Sequence, residues 1–278
     1  EIVKVLIASG ALLDKAANDG STPLYIASKY GHLEIVKVLI ASGALLDKAA
    51  NDGSTPLYIA SKYGHLEIVK VLIASGALLD KAANDGSTPL YIASKYGHLE
   101  IVKVLIASGA LLDKANNNGE TPLYRAISNG HLEIVKVLIA SGALLDKADN
   151  YGYTPLYRAS LHGRLEIVKV LASGALLDKA ANHDYTPLYV ASDEGHFEIV
   201  KVLIASGALL DKAANDGSTP LYIASKYGHL EIVKVLIASG ALLDKATNDG
   251  YTPLYVASDE GHLEIVKVLI ASGALLDK

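Results

Sequence analysis

The feature that most constrains this chain is its period. Thr-Pro-Leu-Tyr begins at Thr22, Thr55, Thr88, Thr121, Thr154, Thr186, Thr219 and Thr252, a spacing of 33 residues that drops once to 32. Residues 16–48, 49–81, 82–114 and 213–245 are identical letter for letter, and residues 1–15 repeat the second half of that unit. Units 115–147, 148–179, 180–212 and 246–278 diverge from it. A segment this short cannot bury its own apolar face, so the copies must stack on one another and form a single array over 1–278. Composition agrees: 51% of the residues are hydrophobic, but with one Phe and no Trp or Met the large side chains of a thick core are missing.

Within one repeat the punctuation places two helices. Thr22 suits an N-cap and Pro23 the first helical position, where its missing N–H costs nothing, so the first helix is expected over residues 23–30 and Gly31 stops it. Leu24, Ala27 and Ser28 share its inward face; Ile26, Lys29 and Tyr30 share another, expected to point outward. A second helix starts near Leu33, carries Glu34 in its first turn where the helix dipole favours an acid, and ends before Gly43. Apart from Glu34 and Lys37 it is apolar on nearly every side, which requires neighbours on both flanks. Asn18-Asp19-Gly20 marks the tip of a protruding hairpin-like loop between repeats.

The 33-residue period, Thr-Pro-Leu-Tyr in place of Thr-Pro-Leu-His, Gly-His-Leu-Glu-Ile-Val-Lys-Val-Leu and Ser-Gly-Ala together resemble ankyrin repeats, and the resemblance covers the whole chain. It implies an all-α solenoid of stacked helix-turn-helix units with protruding hairpin loops, and a groove, lined by hairpins and first helices, in which protein partners bind. The departures are local. Tyr25 and its equivalents stand where the family usually has His, and the acid that often precedes the turn is Ala17, Ala50 or Ala83 here, returning as Asp149. These changes put the loop-to-loop hydrogen bonds in question and leave the helix stack alone.

No chemistry-bearing constellation emerges, and the chain reads as a non-enzyme. His32-x-Glu34 recurs, but equivalent histidines sit one repeat apart and no further ligands converge on them, so the His is expected to close the turn between helices. Serines and threonines fall at caps and packing positions, outside any nucleophile elbow, and the glycines at helix ends and hairpin tips. No metal or cofactor is implied. With a net charge of −5 there is no basic field for nucleic acid, and the longest uncharged stretches, such as residues 38–46, are far shorter than the roughly 20 residues of a membrane span. The absence of Cys, the start at Glu1 without Met and the lack of any targeting segment leave location open, and suggest a piece of a longer array.

Variation between the copies carries the functional signal. The second helix hardly changes; the hairpin tip and the first helix do. The residue after the turn Gly becomes Glu120, Tyr153, Tyr185 and Tyr251 in place of Ser, and the Ile26 position becomes Arg125, Arg158, Val190 and Val256. The pair Lys29-Tyr30 becomes Asp193-Glu194 and Asp259-Glu260. Tyr and Arg are enriched where binding energy concentrates, so these residues are the candidate partner-binding set, for a protein or peptide in the groove. Four identical copies and apolar helices at both ends also fit an architectural array that associates head to tail as a filament, or a very long spring-like chain. Finally, Leu171-Ala172 lacks the equivalent of Ile40, so that second helix is expected to end a residue early, forfeiting about 1.5–3 kcal/mol if the lost Ile is buried.

Overall fold

The computed structural model describes residues 12–276. The helix expected over residues 1–9 lies outside them. Among the described residues each repeat supplies two helices, the second longer than the first except in the repeat 148–179: α1 Pro23–Lys29, α2 Leu33–Ala41, α3 Pro56–Tyr63, α4 Leu66–Ala74, α5 Pro89–Tyr96, α6 Leu99–Ala107, α7 Pro122–Ser128, α8 Leu132–Ala140, α9 Pro155–Leu161, α10 Leu165–Leu171, α11 Pro187–Asp193, α12 Phe197–Ala205, α13 Pro220–Lys226, α14 Leu230–Ala238, α15 Pro253–Asp259 and α16 Leu263–Ala271. The described residues contain no β-strand. Two compact units divide the chain, Glu1–Leu144 and Leu145–Lys278. Helix pairs stack in sequence order within each, α1 to α8 in the first and α9 to α16 in the second.

The first helices form where the sequence places them because one cap recurs in every repeat. Thr55 is extended, its Oγ1 accepts from Tyr58 N at 3.1 Å, and Pro56 opens the helix. The helix ends at Gly64 in the left-handed region with φ 80°. A side chain there would also collide with the next repeat, since a Cβ would lie 2.7 Å from the His98 ring. Gly64 is thus required twice over, by backbone conformation and by close approach.

The second helices bury a narrow set fully. Ile68, Val69 and Leu72 are at most 2% exposed, each worth about 1.5–3 kcal/mol of burial, while Glu67 and Lys70 pair at 2.7 Å on the solvent side. That exposed i,i+3 pair contributes under about 1 kcal/mol. The hairpin loop is present without a strand ladder: Ala50 N donates to Ser54 O at 3.0 Å and Gly53 N to Ala50 O at 2.9 Å.

Three expectations need correction. The Ile26 position does not point outward in the later repeats: Ile59, Ile92, Val190, Ile223 and Val256 are 3–6% exposed. Val190 packs against Tyr157 of the preceding repeat and Ala181, and Ile223 against Tyr189 and Ala214, a contact invisible on the wheel of one isolated helix. Ile26 itself, in the first of these helices, stays 38% exposed. The loop-to-loop bonds survive the loss of the usual His. Tyr58 Oη pairs with Ser87 Oγ at 3.2 Å, and Asn84 donates through Nδ2 to Asn51 O at 2.9 Å and through its backbone N to Asp52 O at 2.9 Å. The histidines, lastly, bind across repeats. His65 Nε2 donates to Lys29 O at 3.0 Å, tying its second helix to the end of the previous first helix and fixing the tautomer, and His98, His131, His196, His229 and His262 make the same bond.

Candidate interaction face

Hairpin tips and first helices place the repeat-specific side chains along one side of each unit. In the unit Glu1–Leu144 the substitutions of the fourth repeat satisfy one another. Glu120 is 6% exposed and its Oε2 accepts from Tyr91 Oη at 2.9 Å, from Asn116 Nδ2 at 2.9 Å and from the Arg125 guanidinium at 3.3 Å. Arg125 Nε also donates to Tyr91 Oη at 2.9 Å. Burial, the largest influence, pushes the Tyr91 hydroxyl well above its usual range despite the adjoining guanidinium. Glu120 is therefore an internal group, and Arg125, half-buried, is held by it. Ile127, at the position that is Ser28 in the identical repeats, is fully buried; the hydroxyls of Ser28, Ser61 and Ser94 there are buried with no hydrogen-bond partner.

Beside this network lies a cavity of about 460 Å³ lined by Tyr58, Lys62, Asp85, Tyr91, Lys95 and Arg125 among others. Lys62 and Lys95 lean over the rings of Tyr63 and Tyr96, at 5.8 and 5.5 Å. Lys29 and Tyr30, at the start of the same unit, form the equivalent contact at 5.4 Å, with Tyr30 59% exposed and no Asp or Glu substitution nearby.

In the unit Leu145–Lys278 the hairpin residues that became Tyr stack on the first helix of their own repeat. Tyr153 lies over Tyr157 with centroids 4.9 Å apart, Tyr185 over Tyr189 at 4.8 Å and Tyr251 over Tyr255 at 4.6 Å. The sequence signal was there as Tyr pairs four residues apart. Arg158 sits 5.0 Å from the centre of the Tyr153 ring and 4.0 Å from the buried Asp149, whose Oδ1 caps the hairpin by accepting from Tyr151 N and Tyr153 N. Tyr153 and Tyr185 are thus half-buried platforms, while Tyr251 is 41% exposed.

Replacing Ser by Tyr at 185 has a second effect. Among the described residues the Tyr157 hydroxyl, which would otherwise meet a Ser hydroxyl, has no hydrogen-bond partner, in contrast to the Tyr189 hydroxyl, which pairs with Ser218 Oγ at 3.1 Å. Burial pushes the hydroxyls of Tyr58 and Tyr157 up to about 12. A cavity of about 300 Å³ opens between α9, α11 and α13, lined by Tyr157, Tyr185, Tyr189, Asp193, Glu194, Asp216, Tyr222, Lys226 and Tyr227 together with Leu161, Val190 and Ile223. The structure thus brings Tyr185, Asp193 and Glu194 together, and adds Tyr157, Tyr222 and Asp216, which the sequence reading had not singled out. Asp259 and Glu260, exposed at the end of α15, are not part of this cavity.

Among the described residues no three His, Asp or Glu side chains are placed to hold a metal ion, and no helix is long and apolar enough to cross a membrane. The family model described as "Ankyrin repeats (3 copies)" matches residues 1–82, 44–116, 76–149, 110–180, 143–213 and 206–278. A search of curated proteins gives no match.

Proposed function

The chain belongs to the ankyrin-repeat family, and from that premise we propose that it is a scaffold binding protein or peptide partners along its hairpins and first helices. Ankyrin repeats are generally protein–protein interaction modules and typically non-catalytic. One observation carries the finer reading: the second helices are nearly uniform from copy to copy, while the divergent Arg125 lines one cavity on the hairpin side and the divergent Tyr185, Asp193 and Glu194 line another. Free drift of exposed positions would not favour the aromatic and Arg types in which binding energy concentrates.

The test uses peptides selected from a displayed random library against the full chain. Replacing Tyr153, Arg158 and Tyr185 together by Ser, Ile and Ser restores residues that the identical repeats tolerate, so the helical circular dichroism should hold. Affinity for face-bound peptides should fall at least about tenfold. Unaltered affinity for every selected peptide would remove the proposal.

An architectural role is the second reading, supported by the far side of the last repeat. There Leu254, Tyr255, Val266, Ile270 and Leu276 line an open cavity of about 320 Å³, and Leu263 is 61% exposed. A further repeat, including one from a second copy, would cover such a surface. Concentration-dependent light scattering that disappears on Ile270→Lys would support head-to-tail association; a monomer at high concentration would rule against it.

A further inference from the structure

Within the unit Leu145–Lys278 the cavity between α9, α11 and α13 has a chemistry that the copies elsewhere lack. Three carboxylates, Asp193, Glu194 and Asp216, face it against a single ammonium, Lys226. Lys226 lies over another wall residue, with its Nζ 5.5 Å from the centre of the Tyr227 ring. Among the described residues neither Asp193 nor Glu194 has an ion-pair partner within 4.0 Å. Five tyrosines, Tyr157, Tyr185, Tyr189, Tyr222 and Tyr227, make up most of the remaining wall, and Leu161, Val190 and Ile223 complete it. Tyr faces attract cations, Arg above all, and carboxylates at the rim fix the charged end of the guest.

We propose that this cavity receives a cationic side chain, Arg or Lys, from a basic peptide segment of the partner. The inference rests on the scaffold reading above and names the partner's chemistry. The cavity in residues 1–144 has the same Tyr architecture with the opposite balance, Lys62, Lys95 and Arg125 against Asp85, and serves as the built-in control. Burial first, then the neighbouring Glu194, raises the Asp193 carboxyl above its ordinary value, the response of a charge that lacks a compensating cation; Lys226 and His229 offset only part of it. A guest cation would supply the missing compensation, and three anionic groups in one concave site would also speed its capture at low salt.

The experiment is a chemical-shift titration of the full chain with Gly-Arg-Gly-Arg-Gly and, separately, Gly-Glu-Gly-Glu-Gly. The basic peptide should shift the resonances of Tyr185, Asp193, Glu194 and Tyr222, and binding should weaken when salt is raised from about 10 to about 150 mM. Asp193→Asn with Glu194→Gln should weaken it at least about tenfold. Asp193→Lys with Glu194→Tyr, the pair that occupies this place in the identical repeats, should abolish it in a fold already proven four times over in this chain. Asp216 is left unaltered because its Oδ1 accepts from Ser218 N and shapes the hairpin. Stronger shifts with the acidic peptide, binding indifferent to both double variants, or no shifts at millimolar peptide would each overturn the inference. If it falls while selected peptides still lose affinity on the Tyr153, Arg158 and Tyr185 triple substitution, the scaffold reading stands; if those peptides are unaffected too, both fall.

Discussion

Repeats 115–147 and 180–212 each depart from the shared sequence, and their departures end differently. In the first, three changes arrive together, Asn116, Glu120 and Arg125, and form a closed network with Tyr91 in which the acid is buried and paired. In the second, Asp193 and Glu194 have no ion-pair partner within 4.0 Å among the described residues, Asp184 occupies a glycine's place in the turn, and the preceding repeat has lost a helical residue. Divergence in one repeat is compensated locally; in the other it leaves charge, aromatic surface and backbone strain uncompensated. An uncompensated departure persists without structural benefit, which is the pattern expected where a site serves a partner.

The largest effect should come from opening the closed network. Glu120→Ala strips Arg125, Asn116 and Tyr91 Oη of their shared acceptor in a buried place, and should lower stability by about 2–3 kcal/mol in a thermal or urea melt. Changing Asn116, Glu120 and Arg125 together to Ala, Ser and Ile, the residues of 82–114, should recover most of that loss, because Tyr91 then meets Ser as Tyr58 does. A single change as mild as the triple one would show that the network is not the compensated case drawn here.

Next comes the turn. Asp184 has φ 59° and His183 φ 67°, both in the left-handed region, at the tip where the other repeats place Gly. Asp184→Gly should stabilise the chain by about 1 kcal/mol, the usual strain of a non-Gly residue in that region. No gain, measured as an unchanged melting midpoint, would mean that side-chain hydrogen bonding already offsets the strain.

The missing helical residue has a smaller effect than its sequence suggests. Helix α10 is seven residues long, against nine in α8, and Gly174 has left the left-handed region that Gly142 occupies. The equivalents of the absent residue, Ile73 and Ile139, are only half-buried, so the burial lost is not that of a core Ile. Inserting Ile between Leu171 and Ala172 should raise stability by about 0.5–1 kcal/mol. A gain twice as large would restore the fully buried reading.

These cases mark what the sequence could reveal. The caps at Thr and Pro, the glycine stops and the fully buried Val36 and Leu39 positions depend on residues within one repeat, and all were legible. Contacts between repeats were not. The burial of Val190 against Tyr157 and the His65 bond to Lys29 O both join groups about a repeat apart, and one helical wheel contains neither partner. The Glu120 network was hinted at by three simultaneous substitutions in one copy, yet Tyr91, the hub, lies in an unaltered repeat. Its role follows only from the stacking. The candidate site was half legible for the same reason: Tyr185, Asp193 and Glu194 vary, whereas Tyr222 and Asp216 belong to an identical copy and acquire their place in the cavity from the neighbour.

The smallest effect separates the two repeats by sign. The Asp193 carboxyl is held above its ordinary value of 3.8, chiefly by burial and then by Glu194, with His229 and Lys226 pulling the other way. In the window between that value and the raised folded one, the native state binds more protons than the unfolded chain. Stability contributed by this group is therefore fully present below the unfolded value and is lost as pH rises through the folded one. At neutral pH the ionised carboxyl is a mild liability, discounted further because Asp193 is only half-buried. Asp193→Asn should accordingly raise the melting temperature at pH 7 by no more than roughly 2 °C, with the gain shrinking on acidification. Removing the acid of the closed network does the opposite, since Glu120 loses stabilising partners at the same pH. A destabilised Asp193→Asn at pH 7 would show that this carboxyl is already compensated within the fold, and would erase the contrast between the repeats.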